Sequence, residues 1–203
     1  SKIAILLNNM PELIEIFYIL GIFFLFCSSP LNIFKIETNN HYFNLIINLN
    51  ILLIFSILPL NISEYATYIL LILFILSIRN YYLCKKNISK ELFNKYQIIL
   101  VILTYFIIAV QVASQLELGW DAKWFWYIKS LFYTQSQTFS ELSNYIYNDF
   151  HPHLGSFLWA FFRNFSINEY EYIGRLFYVF FYILGIHFIS NNIYKNKIKN
   201  MIL

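Results

Sequence analysis

The sequence predicts an all-α, polytopic membrane protein of about five transmembrane helices, with one or two interfacial juxtamembrane helices in a large outer loop. Three observations predict it. First, 59% of the 203 residues are hydrophobic and 12% are charged, half the roughly 25% of an average soluble domain. So few charges leave a core of this size without a polar coat. Second, five apolar runs approach the about 20 residues that a bilayer span needs. Third, lysines and arginines fall in short blocks between those runs. The composition argues against a soluble domain, a disordered segment and a disulfide scaffold. A net charge of +3, thinly scattered, gives no footprint for nucleic acid. Cys27 and Cys84 each end an apolar run and read as free thiols.

The first span covers 13–27 and some preceding residues. An apolar stretch at 3–7 either extends it or lies at the interface, with a break at Asn8-Asn9-Met10-Pro11. No basic start and small-residue cleavage site frame it as a signal peptide. Further spans are expected at 43–60, 65–83, 96–113 and about 172–190. Arg79, Lys85, Lys86, Lys90 and Lys95 surround the connection at 83–96 and place it in the cytoplasm. Lys195, Lys197 and Lys199 place the tail there too. The loop 28–42, with Lys35, is then inside, and 114–171 and the N-terminus are outside. The chain divides into N-terminal transmembrane helices (1–113), an extracytoplasmic loop (114–171), and a return helix with a basic tail (172–203). The expected location is a bacterial inner membrane, with 114–171 on the periplasmic or extracellular side.

The 114–171 segment is far longer than a routine connection. It holds all four tryptophans, Trp120, Trp124, Trp126 and Trp159, residues that favour the membrane–water boundary. Within 121–134, Trp124, Ile128, Leu131 and Phe132 recur at helical spacing, with Lys123 and Ser130 elsewhere on the wheel. This predicts a helix lying in the outer interface. The apolar run 154–165 is too short to span and predicts a second interfacial or re-entrant helix. Reading it as a span would put the lysine-rich tail outside, against the charge rule.

Several residues in this region suit chemistry. Asp121 follows Gly119-Trp120 just past an outward-running span. It suits a general base or a cation ligand, and equally an N-cap of the following helix. Asp149, His151 and His153 alternate in D-F-H-P-H, which in an extended strand puts three side chains on one side. That pattern fits metal ligation, substrate hydrogen bonding or a structural turn. Arg175, after Glu169 and Glu171, either pairs with a glutamate, snorkels to headgroups or serves a function. Lys123 and Lys129 are placed to meet a lipid phosphate. Arg79 reads as a snorkelling anchor and His187 as structural. Asn61, Asn87 and Asn164 open N-x-S triplets, which arise readily in an Asn-rich chain. Glu12 and Glu15 have no evident partner.

The order of these features resembles the first large outer loop of GT-C-type glycosyltransferases, multispanning enzymes that use polyprenyl-phosphate sugars. Protein O-mannosyltransferases and lipid A aminoarabinose transferases are among them. The resemblance rests on Asp121 within G-W-D-A, on His151-Pro152-His153-Leu154-Gly155, and on Glu171-Tyr172-Ile173-Gly174-Arg175-Leu176, and covers about 116–190. It implies that Asp121 is the catalytic base or a metal-associated carboxylate, and that Lys129 and Arg175 hold the lipid-linked phosphate. His151 and His153 are the further substrate-binding candidates, and Asp121, Asp149 and His151 those for a divalent cation. His153 replaces the second proline of the usual motif, and Asp121 stands singly where many relatives carry an acidic pair, so the resemblance leaves the cation optional. It also implies further spans beyond this region. The chain is therefore expected to be the N-terminal part of a longer enzyme, inactive alone. The alternative is a non-catalytic multispanning protein, a transporter half or an envelope-assembly subunit. Asn48 and Asn50 are the only polar hint near a span centre.

Overall fold

A computed structural model describes residues 10–28, 41–58, 60–84, 95–114, 118–135, 141 and 153–202. Every regular element among them is helical. The helices are α1 (Met10–Ser28), α2 (His41–Ile57), α3 (Ile62–Cys84), α4 (Lys95–Ser114), α5 (Ile128–Thr134), α6 (Leu154–Arg163) and α7 (Glu171–Ile202), with a π-helical stretch Ala122–Tyr127 leading into α5. The five apolar runs become α1 to α4 and α7. Two stretches, Ile62–Arg79 and Glu171–Ser190, are long and apolar enough to cross a membrane, and Leu13–Ser28, Tyr42–Ile57 and Ile99–Ser114 are shorter apolar helices.

The helix α1 is the centre of the bundle and packs against α2, α3, α4 and α7. Side-chain contacts give the directions. At one end Asn44 Nδ2 donates to Cys27 O (3.1 Å) and Ser28 Oγ meets Ser77 Oγ (3.0 Å). The Tyr42 hydroxyl shares a hydrogen bond with His187 Nδ1 at that end, a structural role for the histidine. At the other end Phe55 stacks on Tyr65 (5.3 Å), where α2 turns into α3. Asn61 Oδ1 caps that turn, accepting from Ser63 N (3.1 Å) and Oγ (2.9 Å). Successive helices therefore alternate in direction from α1 to α3, and α7 runs parallel to α1. The start of α1 and the segment joining α6 to α7 share one end.

An aromatic core joins α1, α4, α6 and α7. Phe162 stacks on Phe177 (4.7 Å, 10°) and receives the edge of Phe23 (4.9 Å, 80°), while Phe23 also lies against Phe180 (5.1 Å) and Tyr105 (6.3 Å). These offset and edge-on contacts follow from the ring quadrupole. The buried Asn48 donates from Nδ2 to Phe26 O (2.6 Å), and Asn50 to Ile46 O (2.8 Å) of its own helix. Both hinted at polar function; both instead serve backbone carbonyls.

The placement of α6 refines the expectation for 154–165. Ser156 to Phe162 are all buried, so α6 does not lie on the surface but is folded back among its neighbours. It is enclosed by α5, the π-helical stretch and α7 and, more lightly, by α2 and α3, with Gly155 and Arg163 left half-buried.

Candidate functional site

Three segments meet at the end of the bundle that holds the start of α7. The first is helical from Trp120 to Thr134, but its turns at Ala122–Tyr127 are π-helical. Wider i→i+5 turns rotate every later side chain relative to a uniform α-helix. Of the apolar face expected to lie in the interface, only Phe132 is buried in the protein. Trp124 and Ile128 are exposed and Leu131 is half-buried, whereas Lys129, Ser130, Phe132 and Tyr133 are buried. Ser130 satisfies itself on Tyr127 O (2.8 Å). Lys129, 2% exposed, is engaged in this interior, where an ammonium group needs partners. The buried Tyr133 hydroxyl has no hydrogen-bond partner among the described residues, and burial raises its pKa.

Asp121 stands at the head of the π-helical stretch and is exposed. Its side chain makes no capping hydrogen bond, and its backbone is already helical (φ −61°, ψ −43°). The N-cap reading is thereby corrected: the carboxylate is left open to solvent beside Trp120.

The second segment is α6. His153 precedes it with a helical backbone (φ −92°, ψ −26°) and no side-chain cap. This corrects the extended arrangement expected for D-F-H-P-H at its last member. Asp149 and His151 lie outside the described residues. Among the described residues no group of three His, Cys, Asp or Glu is placed to hold a metal ion. Gly155 lets two side chains reach the backbone. Tyr178 donates to Gly155 O (2.6 Å), and a Cβ on Gly155 would sit 3.6 Å from the Trp126 ring.

The third segment is the first turns of α7. Arg175 Nη2 pairs with Glu171 Oε2 at 2.8 Å, one helical turn apart and partly shielded. Trp159 Nε1 donates to Glu171 O (3.3 Å), and its ring lies 5.7 Å from Tyr127. Gly174 faces Trp159 so closely that a Cβ would fall 2.3 Å from Trp159 O. Arg163, at the end of α6, lies over the Tyr127 ring (5.9 Å) and acts electrostatically on the Glu171 carboxylate.

The structure thus gathers Lys129, His153 and Arg175 into the packed elements and leaves Asp121 on their exposed rim. Arg163 was hidden in sequence by the apolar run that carries it. Glu15 was noticed but had no partner; it receives three hydrogen bonds from 166–168. The signal for it was an acidic residue inside an apolar helix.

The chain has no match among protein-family models, curated proteins or solved structures.

Proposed function

We propose that the protein is an integral membrane protein of five spanning helices. Its 114–171 segment lies on the outer face and forms, with the start of α7, a site for glycosyl transfer from a polyprenyl-phosphate sugar. One observation carries the reading. The stretches bearing the resemblance, around Asp121, at His153–Gly155 and at Glu171–Leu176, are separate segments of the sequence. They nevertheless belong to three elements packed together, with Trp126 against Gly155 and Gly174 against Trp159.

The membrane part is supported by what the helices leave outside. Phe17 of α1, Ile54 of α2, Leu71 and Phe74 of α3, Leu103 and Ile107 of α4, and Tyr182 and Ile189 of α7 are all exposed. A bundle with apolar residues on its outer faces as well as inside suits lipid rather than water. The polar alternative, a transporter half, loses its hint at Asn48, which is engaged with Phe26 O.

In this reading an acceptor hydroxyl or amine attacks the sugar's anomeric carbon. The new bond forms from the acceptor's lone pair as the bond to the phosphate oxygen breaks. Asp121 takes the acceptor's proton, and the polyprenyl phosphate departs with the electron pair against Arg175 and Lys129. Arg163 adds a further positive charge to that side.

Two measurements test this. Asp121→Asn, made in the protein with whatever follows it in its reading frame, should cut transfer of labelled sugar in membranes by roughly a hundredfold or more at equal protein level. Normal transfer by that variant removes the mechanism. For sidedness, Ile167, 71% exposed at the same end, is replaced by Cys with Cys27 and Cys84 changed to Ala. An impermeant maleimide should label it in intact cells; labelling only after lysis reverses the orientation.

A further inference from the structure

Glu15 sits in an apolar helix at 2% exposure, a costly place for a carboxylate. The partners it has in the structure come from the turn that joins α6 to α7. Ser166 Oγ donates to Oε2 (2.8 Å), and Asn168 donates to Oε1 from both its backbone N (3.0 Å) and its Nδ2 (2.6 Å). The turn is tied to itself around this contact. Ser166 Oγ accepts from Tyr170 N (2.9 Å), and Ser166 N donates to Arg163 O (2.9 Å). Glu169, within it, holds φ at 57°, a left-handed conformation that a non-glycine residue keeps only under outside restraint. The chain between Arg163 and Tyr170 is therefore shaped around an anion supplied by α1, through hydrogen bonds of the stronger, charge-assisted kind.

We infer that Glu15 is a positioning residue for the site between α6 and α7. Its carboxylate sets the turn, the turn sets where α7 begins, and that start places the Glu171–Arg175 pair against the Trp159 indole. A carboxylate needing only to be satisfied in the interior would accept any donors. Here a single residue, Asn168, offers both its backbone and its side chain to one oxygen, which ties the contact to one conformation of the turn. The identity of the ligand rests on the glycosyl-transfer reading; the positioning does not.

The test uses the protein, with whatever follows it in its reading frame, in lipid nanodiscs, as wild type, Glu15→Ala, Glu15→Gln, Asn168→Ala and the Glu15→Ala/Asn168→Ala double variant. Amide hydrogen exchange reports on the turn, and binding of farnesyl phosphate, a short polyprenyl phosphate, reports on the site. In Glu15→Ala the amides of Asn168 and Tyr170 should exchange roughly ten- to a hundredfold faster, with α2 and α3 unchanged. Farnesyl phosphate affinity should fall by about tenfold. The double variant should be no worse than Glu15→Ala, and Glu15→Gln, which keeps an oxygen for Asn168 but loses the charge, should recover part of the loss. Unchanged exchange in the turn, faster exchange spread evenly over all helices, or additive effects in the double variant would each overturn the inference. If Glu15→Ala is not recovered from membranes, Asn168→Ala alone must reproduce the local exchange and binding changes. If the wild type binds no farnesyl phosphate, the donor reading fails, and the exchange pattern alone decides the role of Glu15.

Discussion

Gly174→Ala should lower the stability of the bundle by about 3 kcal/mol, the upper end for an overpacked contact. In detergent this is a fall in Tm of roughly 6–12 °C for a chain of this size. A methyl group on Gly174 would lie 2.3 Å from Trp159 O, 2.4 Å from Trp159 Cδ1 and 3.1 Å from Trp159 C. Two of these atoms are backbone, so no rotamer change relieves the overlap and α7 must move away from α6. For the same reason Trp159→Ala should not rescue Gly174→Ala. Gly21 and Gly185 are the controls, because a Cβ at either meets nothing within 4 Å. Alanine there should leave stability unchanged or raise it by up to about 1 kcal/mol through helix propensity. Equal melting of Gly174→Ala and wild type would mean that α6 and α7 do not touch at this point. Small residues at such crossings let helix backbones approach where apolar association is weak.

Phe162→Ala should cost about 3 kcal/mol, the low end for removing a buried phenylalanine. Its ring touches Phe23, Phe26, Phe161 and Phe177, so the cavity opens between α1, α6 and α7 together. Ile107→Ala, on the outward face of α4 at 67% exposure, should change stability by less than about 0.5 kcal/mol. Thermal or denaturant unfolding of both variants in the same detergent checks the contrast. A Phe162→Ala variant as stable as Ile107→Ala would remove α6 from the core.

The apolar helices were legible because their signal is local. The run 13–27 became Met10–Ser28, 65–83 became Ile62–Cys84, and 172–190 lies within Glu171–Ile202. Length and apolarity settle such helices without knowledge of neighbours. What the sequence concealed depends on distant partners or on a small change of helical pitch. The wheel through Trp124, Ile128, Leu131 and Phe132 assumed uniform α turns, but the π-helical stretch contains Trp124 and shifts it relative to α5, in which Lys129, Ser130, Phe132 and Tyr133 are buried. The apolar run of α6 was visible, but its burial depends on a pocket lined by helices from both ends of the chain. Of the candidate site, Arg175 and its Glu171 partner followed from i,i+4 spacing. Arg163 over Tyr127 and Glu15 under Ser166 join residues 36 and 151 positions apart, which no local pattern signals. Gly155 and Gly174 were noticed as parts of motifs, and the structure gives each a packing reason.

The central position of α1 has a consequence for how the protein is made. The helix α1 is made before α7, so Glu15 waits for Asn168, 153 residues later. At about 5–20 residues per second that interval is roughly 8–30 seconds. Throughout it the carboxylate has none of the three donors that later hold it, and the groove meant for α6 and α7 stands open. The contact that holds Glu15 thus joins segments synthesised far apart in time.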